Sequence, residues 1–187
     1  MAIKEFQALT TTFSGKANTL VNEVGIAIPT TNLRKVHSHR YKAIWDTGAT
    51  NCVITSKVVG DLGILPFSKR KVAGISGEVI ANVYYVDIFL PNGVCVTDIV
   101  AFETPDLVGE PEMLIGMDII GLGDFSVTQA NGHTVMSYRI PSIKDINYAE
   151  EAKILMDRFT TKNVAASKKQ RNRELRILAK QHKRSGK

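Results

Sequence analysis

The most informative segment of this chain is Ala43-Ile44-Trp45-Asp46-Thr47-Gly48-Ala49-Thr50. It predicts a strand that ends by presenting one carboxylate in a tight turn. Gly48 lets the backbone approach closely, and the short hydroxyl of Thr47 is suited to hydrogen bonding within the turn. The tripeptide Asp-Thr-Gly occurs once in the sequence. Chemistry that needs two such carboxylates therefore requires a second copy of the chain.

The composition is that of an ordinary globular protein. The 187 residues are 44% hydrophobic and 22% charged, which is enough for one core. Cys52 and Cys95 do not form the pattern of a disulfide framework or a metal cluster, and they fit a reducing compartment. The sequence shows no signal-peptide layout and no apolar run long enough to span a bilayer. We therefore expect a cytoplasmic protein with no membrane partner.

The net charge of +6 is concentrated at the C-terminal end. Residues 168–187 carry nine Lys or Arg side chains and one acid, a net of +8, whereas residues 1–167 sum to −2. The basic character belongs to the tail and not to the body of the protein.

Turn signals and residue patterns divide the chain into three parts. Residues 1–17 are polar and predict an N-terminal arm, loose or paired as an edge strand. Residues 18–141 form a domain dense in strand signals, with turns at Pro91-Asn92-Gly93 and Asn131-Gly132. Residues 142–187 form a helical, basic extension. The sequence thus predicts an all-β domain with a helical, basic C-terminal appendage.

Helices are expected at a few places only. Thr55 or Ser56 is positioned to cap a short helix over residues 57–62, and a helical turn is expected at residues 116–120. In the extension, Asn147 and Glu150 have capping-box spacing. We expect that helix to end near Thr160-Thr161 and a second one to run over residues 164–183.

An isolated Asp followed by a small residue and Gly is most often an ordinary turn. The Asp46 turn is informative because two other motifs accompany it. A glycine-bounded hairpin tip, Gly74-Ile75-Ser76-Gly77, begins 28 residues later. An apolar element, Leu114-Ile115-Gly116, ends 70 residues after Asp46. With these motifs, residues 20–141 resemble the retropepsin-like aspartic proteases, the single-domain group that includes retroviral proteases and their bacterial and cellular relatives.

The resemblance implies a fold and a reaction. The fold would be the closed acid-protease barrel, and the active protein would be a homodimer with one catalytic Asp46 from each chain. Two facing carboxylates would share a proton and activate a water that hydrolyses a peptide bond of a peptide or protein substrate. The reaction would need no cofactor and no metal.

The resemblance also assigns roles to the three motifs. Thr47 would grip the matching loop of the partner chain, Gly48 would offer backbone contacts to an extended substrate, and Ala49 would complete the loop. The tip Gly74-Ile75-Ser76-Gly77 would be the flap that closes over the substrate, although a GxxG tip can also be a mere hairpin. The segment Leu114-Ile115-Gly116 would support the catalytic loop from below.

The chain departs from the viral members of this group at three positions. Many of those members carry a paired carboxylate and arginine where this chain has Thr50 and Met117, so the loss is mutual and leaves no orphaned charge. Trp45 is bulkier than the usual aliphatic residue before the Asp. Neither change removes a catalytic group.

Other candidate site residues have simpler interpretations. His37 and His39 could suggest a metal, but without neighbouring Cys or acidic residues they are expected to be surface residues. Cys52 could be a nucleophile, but its apolar context predicts a buried small residue. Asp118 could be catalytic, but its position after Gly116 predicts that it caps or braces a helix.

The basic tail leaves two interpretations open. Its cations are candidates for phosphate contacts with nucleic acid, or they belong to a solvated helix. The candidates for phosphate contact are Lys168, Lys169, Arg171, Arg173 and Arg176. The alternative to a protease is therefore a non-catalytic dimeric module that binds peptides and is tethered to nucleic acid by this tail.

Overall fold

A computed structural model describes residues 7–31, 36–74 and 77–185. The chain forms two compact units, Met1–Ile143 and Lys144–Lys187. The first unit contains the strands β1 (Gln7–Thr12), β2 (Val21–Ala27), β3 (His39–Trp45), β4 (Val53–Thr55), β5 (Ser68–Gly74), β6 (Gly77–Phe89), β7 (Cys95–Thr104), β8 (Met113–Ile115), β9 (Asp124–Thr128) and β10 (Val135–Ile140). It also contains the helices α1 (Ser56–Leu62) and α2 (Met117–Ile120), and a 3-10 turn at Ala130–Gly132. The second unit contains α3 (Tyr148–Ser185).

The larger of the two sheets in the first unit has seven strands in the order β2-β3-β8-β4-β7-β6-β5. β2 also pairs with β6, so the strands from β2 to β6 in this order form a continuous hydrogen-bonded ring. β3 with β8 and β4 with β7 are parallel, and the other pairs are antiparallel. β5 lies outside the ring and pairs with the first half of β6.

The smaller sheet has three strands in the order β1-β10-β9. β1 falls within the segment predicted as an N-terminal arm and pairs along its whole length with β10. Trp45, at the end of β3, stacks on Phe125 of β9 with ring centroids 5.6 Å apart and contacts Tyr138 of β10 at 5.1 Å. Aromatic pairs at these separations add to the apolar burial. The small sheet therefore packs directly under the end of the strand that leads into Asp46.

A buried carboxylate marks an irregularity in β6. The pairing of β6 with β7 shifts between Val86 and Ile88, and the intervening Asp87 is fully buried. Its Oδ1 accepts a hydrogen bond from the backbone N–H of Asp98 at 2.9 Å, and its Oδ2 accepts one from that of Thr30 at 3.3 Å. Backbone donors thus satisfy the acceptors of a group that would be costly to bury alone.

Two of the expected helical features differ from the structure. Thr55 occupies the N-cap position of α1, but its buried hydroxyl makes no hydrogen bond. The extension forms one continuous helix of 38 residues rather than two. The prediction of a break at residues 160–161 is wrong, because the helix continues through both threonines. The Thr160 hydroxyl is accommodated within it by donating to the Met156 carbonyl oxygen, one turn back, at 3.0 Å. The predicted start is confirmed, since Asn147 Oδ1 accepts from the Glu150 N–H at 3.1 Å.

The first unit is mostly β-sheet, as predicted, and the second unit contains the helix α3. The strands expected at residues 78–90 and 94–102 appear as β6 and β7, and the hairpin expected around Asn131-Gly132 appears as β9 and β10. Within the described residues, no helix combines the length and apolar character that a membrane crossing requires.

Asp124 provides a pH-dependent contribution to stability at the start of β9. It accepts hydrogen bonds from Ser142 Oγ at 2.6 Å, from the Arg139 guanidinium, and from the Ile143 N–H at 3.1 Å. These bonds, with the charge of Arg139, lower the pKa of Asp124 from 3.8 to about 2. The unfolded chain therefore binds a proton at this site at higher pH than the folded chain does.

We expect the stability advantage of the native protein over Asp124→Asn to be constant above about pH 5 and to shrink as the pH falls from about 4 to about 2. The sign follows because protonation in this window favours the unfolded state. Urea denaturation of both proteins at pH 7, 4, 3 and 2 measures it. An advantage that is undiminished at pH 2 would show that the ionised carboxylate contributes nothing.

Candidate active site

Asp46 is placed by the alternation of side chains along β3. Tyr41, Ala43 and Trp45 are buried, so β3 ends with one side chain anchored in the core and Asp46 half-buried beyond it. The backbone is held on both sides of this point. The Trp45 N–H donates to the Leu20 carbonyl and the Asp46 N–H donates to the Ile115 carbonyl, each at 2.9 Å. Asp46 therefore leaves the sheet from a fixed backbone position.

The turn after Asp46 anchors one of its two carboxylate oxygens. Oδ1 accepts a hydrogen bond from the Gly48 N–H at 2.8 Å, and the Ala49 N–H donates to the Asp46 carbonyl at 3.3 Å. An Asp side chain that accepts from the backbone two residues on stabilises such a turn. Oδ2 accepts no hydrogen bond from any residue that the structure describes. One oxygen orients the carboxylate, and the other is available to a ligand or to a second carboxylate.

The segment Leu114-Ile115-Gly116 lies against this loop. β8 runs parallel to β3, with Ile115 paired with Trp45. At Gly116 the chain passes so close to the loop that an added Cβ would lie 2.6 Å from the Asn51 carbonyl carbon and oxygen. The Met117 N–H donates to the Ala49 carbonyl at 2.8 Å, and the Asp118 N–H donates to that of Thr50 at 3.2 Å. The start of α2 is thus hydrogen-bonded directly to the loop.

Asp118 braces the loop. Its Oδ2 accepts from the Cys52 N–H at 2.9 Å, and its Oδ1 accepts from the Cys52 thiol at 3.1 Å and from the Ile119 N–H at 3.0 Å. This is the bracing role that its position after Gly116 predicted. Because both oxygens are engaged with Cys52 and α2, Asp118 is not arranged as a second catalytic carboxylate.

Cys52 is fully buried, as its apolar context predicted. Burial, and after it the Asp118 carboxylate, raises the pKa of the Cys52 thiol far above its ordinary value. A reactive cysteine needs an accessible thiolate. Cys52 therefore packs as a small apolar residue and not as a nucleophile.

The glycine-bounded tip is carried by the β5–β6 hairpin, which pairs from Ser68 opposite Val83 to Gly74 opposite Gly77. Gly77 has a φ of 109°, a conformation that favours glycine. An ion pair between Lys71 and Glu78 links the two strands, and Val79 and Ile80 expose apolar side chains next to the tip. The predicted flap residues Ile75 and Ser76 lie outside the described residues.

Residues 34–119 match the family model described as aspartyl protease. The matched range contains the Asp46 loop, the β5–β6 hairpin and the Gly116 support. Over these residues, the chain is similar to the aspartyl proteases. A search of curated proteins found no match.

Solved structures with similarity to the chain come from a bacterium and from viruses. They are a retropepsin-like aspartic protease from Rickettsia conorii (14% identity, TM-score 0.46, covering 74% of this chain and 98% of that one), the simian foamy virus (mac) protease (21%, 0.36, 54% and 92%), and the EIAV protease complexed with the inhibitor HBY-793 (19%, 0.41, 56% and 86%).

Main-chain hydrogen bonds connect the two positions, Thr50 and Met117, at which the sequence differs from many viral proteases. Thr50 and Met117 are uncharged and exposed. The hydrogen bonds from the Met117 and Asp118 N–H groups to the loop carbonyls connect α2 to the catalytic loop. This connection does not require a charged side-chain pair.

Asn22 was not identified from the sequence, although it supports the strand that leads into Asp46. Its Oδ1 accepts from the Trp45 indole N–H at 2.9 Å, and its Nδ2 donates to Thr11 Oγ1 at 2.8 Å. Asn22 thereby satisfies the indole N–H of Trp45, the bulky residue before Asp46. The only signal in the sequence was one amide side chain in the strand-like run at residues 20–28, whose other polar side chain is Glu23.

The two histidines considered as metal ligands lie at the surface, as predicted. His37 and His39 are both exposed, and His39 stacks on Tyr41 with ring centroids 6.4 Å apart. Among the described residues, no group of three or more His, Cys, Asp or Glu side chains is placed to hold a metal ion.

Proposed function

We propose that the protein is a homodimeric endopeptidase in which one Asp46 from each chain forms the catalytic pair. The observation that carries this proposal is the Asp46 carboxylate itself, with Oδ1 fixed by Gly48 and Oδ2 unoccupied among the described residues. Each chain supplies one such carboxylate, and Asp118 is committed to Cys52. A complete site therefore requires the Asp46 of a second chain.

The reaction proposed for this pair is hydrolysis by an activated water. Two carboxylates at close range do not both ionise readily, so one of them holds a proton. The ionised partner accepts a proton from a water that attacks the scissile carbonyl, and the protonated partner donates a hydrogen bond to the carbonyl oxygen as it gains charge. The fixed orientation of Oδ1 lowers the entropic cost of orienting the two carboxylates for the reaction.

The surrounding residues have proposed roles in the same dimer. The exposed hydroxyl of Thr47 pairs with the partner's loop, and Gly48 and Ala49 present backbone to an extended substrate. The tip at residues 74–77 closes over that substrate, and the exposed Val79 and Ile80 supply apolar surface beside it. Substrate then binds in extended form, much like an added strand.

We further propose that the ring of strands is the closed barrel of acid proteases, within a protease domain at residues 18–141 that acts in the cytoplasm. The arm at residues 1–17 and the extension at residues 142–187 flank it. The pairing of β2 with β6 supports the closed barrel. The rival function, a dimeric peptide-binding module without catalysis, has no use for a carboxylate oriented by its own turn.

Mixing native and Asp46→Asn subunits tests the shared site. At constant total protein concentration and after subunit exchange, an equal mixture should retain about a quarter of the activity of the all-native sample, because only native homodimers have both carboxylates. Independent active monomers would retain about half.

Asp106→Asn is the matched control for the mixing experiment. It removes an exposed carboxylate in the loop after β7, and its equal mixture with native protein should keep full activity. Retention of half the activity in the Asp46→Asn mixture would contradict the proposed dimeric site.

A further inference from the structure

The continuous helix α3 places part of the basic tail on one face. With 3.6 residues per turn, each residue is rotated by about 100° from the last. Four cations at spacings of i, i+4, i+7 and i+11 therefore project within a narrow sector. We name these residues the basic face: Lys169, Arg173, Arg176 and Lys180. The face extends for about 17 Å along the helix.

Between residues 168 and 180, the other two cations lie off the basic face. By the same geometry, Lys168 is rotated about 110° from the centre of the face, and Arg171 lies on the opposite side of the helix. The sequence alone grouped Lys168 and Arg171 with Lys169, Arg173 and Arg176. Their positions around the helix separate them and add Lys180.

The basic face is exposed and is not neutralised. All four side chains are exposed, and no ion pair involves them among the described residues. The nearest acid, Glu174, is off the face and accepts a hydrogen bond from Gln170 at 3.5 Å. Four like charges held in a row on a helix form a local field that attracts a polyanion.

The remaining residues of the helix indicate which kind of polyanion the basic face would bind. Residues 169–180 contain no Phe, Trp, Tyr or His, so the stretch that carries the basic face has no aromatic ring on which unpaired bases could stack. The exposed Leu175 and Ile177 are rotated about 160° from one another around the helix, and the charged Arg171 and Glu174 lie at angles between them. They therefore do not form the uninterrupted apolar side with which a helix enters a membrane surface. A duplex, which presents regularly spaced phosphates and no unpaired bases, fits these features best.

We propose that the basic face binds the phosphate backbone of a nucleic-acid double helix without reading its sequence. Each Lys or Arg that contacts a phosphate releases condensed counterions, so the affinity falls as salt rises. Four contacts predict a slope of about −3.6 in a plot of log binding constant against log salt concentration.

The helix offers a matched pair of variants for the test. Lys169→Gln/Arg173→Gln removes one Lys and one Arg from the basic face, and Lys168→Gln/Arg171→Gln removes one Lys and one Arg from elsewhere on the same helix. Both pairs lower the net charge equally, and Gln keeps a favourable helix propensity. Circular dichroism verifies that the helical content is unchanged in both.

Binding of the full-length variants is measured by fluorescence anisotropy with labelled DNA and RNA duplexes of two helical turns at several salt concentrations. We expect Lys169→Gln/Arg173→Gln to reduce the magnitude of the slope by about 1.8 and Lys168→Gln/Arg171→Gln to change it by less than about 0.5. Binding to either duplex supports the shared phosphate chemistry, and the two probes show which nucleic acid is preferred.

Three results would overturn the proposal. One is an equal effect of the two variant pairs, which would mean that the tail acts as a diffuse charge. Another is the absence of duplex binding at low salt. The third is tighter binding to vesicles of anionic phospholipid than to either duplex. None of these measurements involves peptide cleavage, so their outcome is independent of the proposed protease reaction.

Discussion

Asp46→Asn should abolish peptide hydrolysis and leave the fold intact. In the native protein the Gly48 N–H donates to Asp46 Oδ1 at 2.8 Å. The Asn side chain keeps an oxygen that can accept this hydrogen bond, so the turn is retained. It cannot hold or accept the proton that the pair must share. Positioned acid–base groups of this kind contribute about 10²- to 10⁴-fold to rate, and we expect a loss of at least this size.

The measurement is cleavage of a diverse peptide library between about pH 4 and pH 7.5, with the native protein and Asp46→Asn compared throughout. The cleavage rate of the native protein should be higher in the acidic part of this range, because the catalytic pair works only while one proton is held between the two carboxylates. Urea denaturation should show the stability of Asp46→Asn to be within about 0.5 kcal/mol of native.

Two controls define the result. Asp106→Asn should cleave as the native protein does, since it removes an exposed carboxylate from a loop outside the three motifs. A buffer blank measures spontaneous hydrolysis of the peptides, and identical purification of native protein and Asp46→Asn makes co-purified proteases common to both samples. Equal cleavage by native protein and Asp46→Asn would mean that Asp46 is not catalytic. If neither protein cleaves any peptide and the native protein is a dimer, the peptide-binding module would be favoured.

Gly116→Ala should destabilise the protein and disrupt the active site. The added Cβ would lie 2.6 Å from the Asn51 carbonyl carbon and oxygen and 3.0 Å from the Ala49 carbonyl oxygen. These are backbone atoms and cannot swing away as the end of a flexible side chain would. Either β8 or the catalytic loop must move, and we expect a cost of about 1–3 kcal/mol. Because the loop carries Asp46, we also expect kcat to fall by at least about tenfold.

Gly60→Ala is the matched control for this substitution. Gly60 lies within α1, and a Cβ added there meets nothing within 4 Å. The same methyl group should be neutral or should stabilise the protein by up to about 1 kcal/mol, since Ala favours a helix over Gly. Urea denaturation and peptide cleavage are measured for both variants. A Gly116→Ala protein as stable and active as Gly60→Ala would show that the loop tolerates displacement.

The local signals of the sequence were reliable where a turn depends on its own residues. The turn expected at Pro91-Asn92-Gly93 connects β6 to β7, and Gly93 has the positive φ of 82° that such a turn uses. The Asp46 turn is likewise closed by bonds within four residues of one another. Signals of this kind can be predicted because their partners are adjacent in the chain.

The predicted break in the C-terminal helix shows the limit of such signals. Two consecutive threonines lower helix propensity, which favoured an interruption at residues 160–161. A Thr hydroxyl can also bond back to the carbonyl one turn earlier, as Thr160 does with Met156. Sequence composition does not distinguish these two outcomes. The alignment of Lys169 with Lys180 is the same in both cases, because both residues also lie within the second helix expected at residues 164–183.

The sequence by itself determined the Asp46 turn, the glycine-bounded hairpin, the Gly116 element and the location of the basic charge. Only the tertiary structure decided what supports them. Asn22 meets Trp45 because β2 and β3 pair in one register, and Asp118 meets Cys52 across 66 residues of sequence. Gly116 must be a glycine because β8 runs beside β3 and brings it against Asn51. The physical reason is that strand register depends on the summed pairing and burial of whole strands, and a shift of one residue would send each of these side chains to the other face.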